Sequence, residues 1–162
     1  MTKVIGITGG IGSGKTTLSE FLKKTGFLVH ESDKVVSEIY TKPNIHFINF
    51  IKKNISKEAV KKNRIDKKHI ADIIFNNEEA KTKLEKYIHK KTQLSRNRFI
   101  KKNLKIKKKA IFVDIPLLLE NNLEKEFDLV VSVISSKEIR LKRLLKNKKF
   151  KKETIKKIFN LQ

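Results

Sequence analysis

The chain has 162 residues, 38% of them hydrophobic, which is enough for one compact domain with a core, and it carries a formal net charge of +22. It has no cysteine, which excludes disulfides, thiol nucleophiles and cysteine-ligated metals. No apolar run approaches the length of a membrane span and the first residues do not resemble a secretory signal, so we expect a cytoplasmic protein with no membrane partner.

The positive charge allows two interpretations: a surface for a polyanion such as nucleic acid, or an excess of lysine on solvated faces. Only five of the 39 basic residues are arginines, the residues that make most bidentate contacts to phosphates and bases. Aromatic residues are also few, at 7%, and do not alternate with the basic runs as stacking platforms would. We therefore favour solvated lysines and expect no specific nucleic-acid partner. We also expect a monomer.

The N-terminal segment predicts a strand, a loop, a helix and a second strand. Residues 3–7 form a short apolar run typical of a buried strand, and a glycine-rich loop follows. Leu18 and Leu22 then lie on one helical face, and Gly26 ends the helix. Residues 27–30 are the second strand candidate. Such a unit implies a parallel sheet with a right-handed crossover.

From about residue 35 to residue 105 the pattern becomes helical. Ile70 and Ile74 share one helical face, and Leu84 and Ile88 share another, while Lys and Glu occupy the remaining faces. We interpret this region as a helical insertion and not as part of the sheet.

Strands return after this insertion. Residues 110–115 are the apolar run of a buried strand that Pro116 ends, and residues 129–134 are another. A basic helix begins near residue 137, and residues 155–159 suggest a last amphipathic helix. The predicted fold class is therefore α/β, a parallel sheet flanked by helices.

The glycine-rich loop reads GGIGSGKT from Gly9 to Thr16 and fits G-x-x-x-x-G-K-[ST] at every fixed position. Such a loop wraps a phosphate with backbone N–H groups pointing inward, in conformations that a Cβ would obstruct. The following helix adds its N-terminal dipole, Lys15 would reach the β- and γ-phosphates, and the Thr16 hydroxyl would bind Mg²⁺. Because the match lies between a predicted strand and a predicted helix, a nucleoside triphosphate site is favoured over a chance glycine turn. The predicted nucleotide-binding residues are Gly10, Ile11, Gly12, Ser13, Gly14, Lys15, Thr16 and Thr17.

Several segments together resemble the bacterial dephospho-coenzyme A kinases. The opening IGITGGIGSGKTT looks like the start of that family, although this phosphate-binding loop (P-loop) is shared by many families. Later segments agree with the family in order and spacing, nearly to the end of the chain: HESDKVV, RIDKKHIADIIFNNEEAKTKLEKYIH, VDIPLLLEN, VSVISSKEIRLKRLLKN and IFNLQ.

The resemblance implies a reaction and a domain organisation. The reaction is ATP-dependent phosphorylation of the ribose 3′-hydroxyl of dephospho-coenzyme A, the last step of coenzyme A synthesis, with ATP and Mg²⁺ as cofactors. The implied P-loop core covers about 1–34 and 106–136, the helical substrate region about 35–105 and a small lid about 137–152.

The resemblance also implies catalytic roles for Lys15, Asp33 and Arg143. Asp33 stands at the second Asp of the family's D-A-D segment, and Glu31 at the first. A carboxylate at position 33 could take the proton of the acceptor hydroxyl, with a helix N-cap as its alternative role. Arg143 matches a lid arginine that would bring positive charge to the phosphates. Its alternative is a solvated helix face.

Acceptor binding is implied for a further set: Asp33, Asp114, Leu117, Leu118, Glu120 and His89. Asp114 lies near the end of a buried run, at the sheet edge where ligands bind, and could act through water on Mg²⁺ or hold the acceptor; a turn before Pro116 is the alternative. The two leucines could equally pack in the core, and Glu120 could be solvated. His89 matches the histidine of a family H-P pair, with a merely exposed histidine as the alternative.

The chain departs from the family pattern at several positions. Asn147 stands at a second lid arginine, Lys90 at the proline after the histidine, and Lys67 at the arginine of an L-D-R segment. The family continues past the position of Gln162 with a strand and a helix, so an open sheet edge is expected. Three alternatives to the kinase assignment stay open: another nucleotide or nucleoside kinase, a truncated low-activity remnant, and a lysine-rich nucleic-acid-binding P-loop protein.

Overall fold

A computed structural model of the chain describes residues 1–106 and 108–146. The helix expected near 155–159 and the part of the expected lid from Asn147 onward lie outside these residues. The chain divides into two compact units, Met1–Glu31 with the residues from Ile100 onward, and Ser32–Phe99. The boundaries expected from the sequence, at about 34 and 105, fall a few residues later.

The described chain contains six strands, six α-helices and one short 3-10 turn. In order they are β1 (Lys3–Thr8), α1 (Lys15–Lys24), β2 (Leu28–Glu31), α2 (Ser32–Thr41), α3 (Ile45–Asn54), β3 (Val60–Lys61), β4 (Arg64–Ile65), α4 (Lys67–Asn76), α5 (Glu78–Asn103), β5 (Ala110–Asp114), a short 3-10 turn (Glu124–Glu126), β6 (Leu129–Ser132) and α6 (Lys137–Lys146).

The first unit contains a parallel sheet in the order β2–β5–β1–β6. The inner strands β1 and β5 carry its fully buried side chains, Ile7, Ile111 and Val113, because both faces of these strands are covered. At the carboxyl edge, Asp114 of β5 is paired with Glu31 of β2 on one side and with Ile7 on the other. The structure thus confirms the predicted α/β fold and gathers the loops after β1 and β5 at one edge.

Asp128 connects the start of β6 to β1. The backbone N–H of Val4 donates to Asp128 Oδ2 at 2.8 Å, and the N–H of Asp128 donates to the Val4 carbonyl at 2.9 Å. The Val4 N–H, helped by the charge of Lys3, holds the pKa of the Asp128 carboxyl below its ordinary value. This carboxylate therefore fixes the register with which β6 enters the sheet.

The second unit is mostly helical, as predicted. Its buried core combines residues of α3, α4 and α5 with one residue of the α3–β3 loop: Phe47, Ile51, Ile70, Leu84, Ile88 and Ala59. Aromatic rings extend this core, with Phe50 and Tyr87 stacked at a centroid distance of 4.3 Å. The helical faces expected from Ile70, and from Leu84 with Ile88, are the faces that this core buries.

A small hairpin in the second unit departs from the helical interpretation of this region. Strands β3 and β4 pair antiparallel through Val60 with Ile65 and through the residues next to them. Lys62 and Asn63 form the turn, with φ of 47° and 60°. Positive φ at both central residues is the geometry of a tight two-residue hairpin turn, and the asparagine was the sequence signal for it.

Candidate active site

The loop between β1 and α1 is built around glycines. Gly9 and Gly12 have φ of +147° and +76°, where L side chains are strained. A Cβ at Gly9 would lie 2.3 Å from the Val133 carbonyl oxygen, and one at Gly12 would lie 3.1 Å from the Arg140 carbonyl oxygen. The glycines thus allow both the turn and the close approach of neighbouring backbone, as the motif predicts.

Helix α1 begins directly after this loop, at Lys15. Gly14 is its N-cap in the left-handed conformation and has no side chain to accept from the first turn, which contains no acidic residue. The N–H groups of this turn and the positive end of the helix dipole therefore favour an anion. Thr16 and Thr17, in the same turn, are exposed.

A buried carboxylate faces the loop lysine. Lys15 Nζ lies 3.9 Å from Asp114 Oδ1, and both side chains are largely buried. The Ser19 hydroxyl, which has no exposed surface, donates to Asp114 Oδ2 at 3.0 Å. Asp114 is therefore held from α1 at the carboxyl edge of the sheet. At the same edge Glu31 accepts from Lys23 at 2.6 Å.

Sequence reasoning missed Ser19. Ser19 stands three residues before Leu22, and this spacing places both residues on the same buried face of α1. That spacing is the sequence signal that could have identified it. A buried polar side chain on an otherwise apolar helical face needs a partner, and here the partner is a carboxylate.

The outer side of the loop is bound by two arginines of α6. Arg140 Nε donates to the Ile11 carbonyl oxygen at 2.8 Å. Arg143 Nη1 donates to the carbonyl oxygens of Gly12 at 3.1 Å and Ser13 at 2.8 Å. The guanidinium of Arg143 thus lies beside the P-loop, and the phosphate-binding role expected for it stays a prediction. Arg140 was not singled out from the sequence.

The two leucines after β5 that were expected to shape the acceptor pocket differ in their exposure. Leu118 has no exposed surface, and a Cβ at Gly6 would come within 2.8 Å of its Cδ1, so the core alternative describes its position. Leu117 is 42% exposed and has a left-handed backbone with φ of 55°. Glu120 is exposed as well. Leu117 and Glu120 are therefore the accessible members of this set.

Two further predicted site residues belong to the second unit. Asp33 is exposed and is the second residue of α2, two positions after the end of β2. It lies within the first turn and not at the N-cap position, where an acid is still favoured by the helix dipole. His89 is exposed on α5, and its carbonyl accepts from the Thr92 hydroxyl at 2.9 Å. Asn147, at the second lid position, lies outside the described residues.

The chain is similar to known proteins in family, in sequence and in structure. The family model described as dephospho-CoA kinase matches residues 3–162. The dephospho-CoA kinase of Fusobacterium nucleatum is 37% identical over 161 residues, which is 98% of this chain and 80% of that protein. The dephospho-CoA kinase of Staphylococcus aureus is 33% identical over 150 residues, or 90% of this chain and 70% of that protein.

Solved structures agree with the sequence comparison. A Thermus thermophilus protein superposes with a TM-score of 0.78 at 25% identity, covering 99% of this chain and 80% of that one. The dephospho-CoA kinase from Campylobacter jejuni superposes with a TM-score of 0.64 at 30% identity, covering 96% of this chain and 78% of that one. The P-loop, the carboxylate beside its lysine and these matches together show that the chain belongs to the dephospho-CoA kinase family.

Proposed function

We propose that this chain works in the cytoplasm as a monomeric kinase that transfers the γ-phosphoryl group of ATP to the ribose 3′-hydroxyl of dephospho-CoA, giving CoA and ADP. The observation that carries the proposal is the pairing of Lys15 with Asp114 at the carboxyl edge of a parallel sheet, 3.9 Å apart, in a chain of this family. Parallel sheets bind their ligands at this edge.

Positioning and charge would supply most of the catalysis. The loop amides and the start of α1 bind the phosphates, and Lys15 neutralises charge that develops on the β- and γ-oxygens. With ATP bound, Lys15 exchanges its contact to Asp114 for one to phosphate. Arg143 adds positive charge from the outer side of the loop.

Asp33 is the proposed general base. It follows β2 by two residues and is exposed in the first turn of α2, so its carboxylate is available to accept the proton of the acceptor hydroxyl. Leu117, Glu120 and His89 are the accessible residues that we assign to the acceptor. Asp114, which is buried, acts on the nucleotide side of the reaction.

Magnesium fits this site as a nucleotide-bound ion. Thr16 offers an exposed hydroxyl in the first turn of α1, and Asp114 offers a carboxylate that can act through water. Over residues 1–106 and 108–146, no group of three or more metal-ligating side chains exists, which suits an ion held chiefly by phosphates and water. When bound, such an ion would offset the negative charge of the phosphates.

The acceptor is tested with a coupled assay of ADP release. Dephospho-CoA, AMP, and a set of nucleosides are each offered with ATP, and Lys15→Ala serves as the inactive control. We expect turnover that requires dephospho-CoA and yields CoA. Turnover with AMP or a nucleoside, and none with dephospho-CoA, would make the chain a different nucleotide or nucleoside kinase. ATP binding without turnover on any acceptor would identify a low-activity remnant.

A separate experiment tests whether the lysine excess forms a specific nucleic-acid-binding surface. Non-specific binding to nucleic acid rests on counterion release, so it should appear at low salt and fade at about 0.15 M salt. A panel of unrelated RNA and DNA sequences in that buffer provides the measurement. Tight binding to one member would promote a nucleic-acid function above the kinase.

A further inference from the structure

A loop that points its N–H groups at a phosphate must point its carbonyl groups away from it. Those outward carbonyl oxygens are strong acceptors, and their donors help to decide which way each peptide faces. In this chain three consecutive carbonyls of the loop, those of Ile11, Gly12 and Ser13, accept from guanidinium groups of α6.

Arg140 is the better buried of the two arginines involved. Arg140 is partly buried, whereas Arg143 is exposed. Its Nε–H, which is fixed by the planar guanidinium, donates to the Ile11 carbonyl at 2.8 Å. The backbone of α6 packs directly on the same loop, since a Cβ at Gly12 would lie 3.1 Å from the Arg140 carbonyl oxygen and 3.2 Å from Leu144 Cγ.

We propose that Arg140 is a positioning residue for ATP: it holds the P-loop from its outer side in the conformation that binds phosphate. This inference rests on the proposed function in one respect, that ATP binds at this loop. Without the Nε–H donor the Ile11 peptide can rotate, and each rotation turns an inward N–H away from the phosphates. Arg140 therefore acts through the loop and makes no contact with the reacting atoms.

A second explanation for any effect of Arg140 is its charge alone, which would attract ATP at a distance. Substitutions that change the charge and the position of the donor distinguish the two explanations. Glutamine places an uncharged N–H donor at the same position along the side chain as arginine Nε, methionine fills similar space without a donor, and lysine keeps the charge but moves the donor one atom further out.

The experiment measures the dissociation constant of ATP by isothermal titration calorimetry, without acceptor, for wild type, Arg140→Gln, Arg140→Met and Arg140→Lys. Lys142→Met is the matched control, because Lys142 is exposed on the same helix and its replacement removes the same charge. We expect Arg140→Met to weaken ATP binding about 10-fold or more, as loss of a charge-assisted hydrogen bond does. Arg140→Gln should recover most of this loss, and Lys142→Met should bind within about twofold of wild type.

Steady-state kinetics give a second readout that a general loss of stability would not produce. The KM for ATP should rise in Arg140→Met while the KM for dephospho-CoA and the thermal unfolding midpoint stay near their wild-type values. Binding by Arg140→Met equal to wild type would overturn the proposal. So would recovery by lysine and not by glutamine, since that pattern belongs to charge alone. Failure of wild type to bind ATP would instead refute the proposed function.

Discussion

Replacement of Gly9 by alanine tests how tightly the P-loop is confined. A Cβ at Gly9 would lie 2.3 Å from the carbonyl oxygen of Val133, a backbone atom that cannot turn aside as a flexible side chain can. Gly26 provides a matched control. Its φ of +85° is also positive, but a Cβ there would meet no described atom within 4 Å.

The two substitutions share one cost and differ in another. A side chain in the left-handed region costs roughly 1–2 kcal/mol, which describes Gly26→Ala; Gly9, at φ of +147°, lies further from that region, so its conformational cost is at least as large. The reduced freedom of the unfolded chain offsets roughly 0.4–1 kcal/mol in both variants. Only Gly9→Ala must also displace a backbone carbonyl, at the roughly 1–3 kcal/mol typical of overpacking. Gly9→Ala should therefore unfold about 2–12 °C below Gly26→Ala, given about 2–4 °C per kcal/mol at this chain length.

Thermal unfolding followed by circular dichroism measures this difference, and calorimetric titration with ATP accompanies it. Gly26→Ala should bind ATP as wild type does, because Gly26 follows the C-terminal end of α1, whereas the P-loop lies at its N-terminal end. Gly9→Ala should bind about 10-fold more weakly or worse, because the carbonyl can be cleared only by moving the loop amides from their phosphate-binding positions. Equal unfolding midpoints for the two variants would refute the inference that Val133 confines the loop.

Four further predictions concern three single side chains and one pair. Lys15→Ala should abolish turnover with an unchanged far-ultraviolet spectrum, because its ammonium serves phosphate and not the core; normal turnover would rule out the site. Asp33→Asn should leave ATP binding nearly unchanged and slow single-turnover phosphoryl transfer about 10²-fold or more; a slight effect would place the base elsewhere. A urea-unfolding cycle of Ser19→Ala, Asp114→Ala and the double variant should show a coupling of roughly 1.5–3 kcal/mol, as a buried hydrogen bond to a carboxylate does; a coupling near zero would contradict that bond. The pKa of Asp128 is lowered in the folded chain. The folding stability that its carboxylate contributes is therefore present above the ordinary aspartate pKa and is lost as the pH falls through the lower folded value. Asp128→Asn should accordingly be less stable than wild type at neutral pH and equal to it in strong acid, when measured by urea unfolding; a difference that persists in acid would point to packing.

The amino-acid sequence by itself determined the parts that depend on near neighbours in the chain. The motif from Gly9 to Thr16 needs only its own glycines and the following helix to define an anion site. The apolar run at 110–115 and the helical spacing of Ile70 and Ile74 likewise specify buried elements without reference to other segments. For this reason the fold class was predicted correctly, and the glycine conformations of the loop and the helix that follows it agree with the motif, while nucleotide binding by this loop stays a prediction.

The tertiary structure decided the parts that depend on partners far away in the chain. Ser19 meets Asp114 across 95 residues and Arg140 meets Ile11 across 129, and no local spacing encodes either pair. Leu117 and Leu118 are adjacent leucines, yet only Leu118 is buried, because the left-handed backbone at Leu117 turns one into the core and the other outward. Local patterns fix which residues can form an element, whereas the sheet register and helix packing fix which polar groups come within hydrogen-bonding distance.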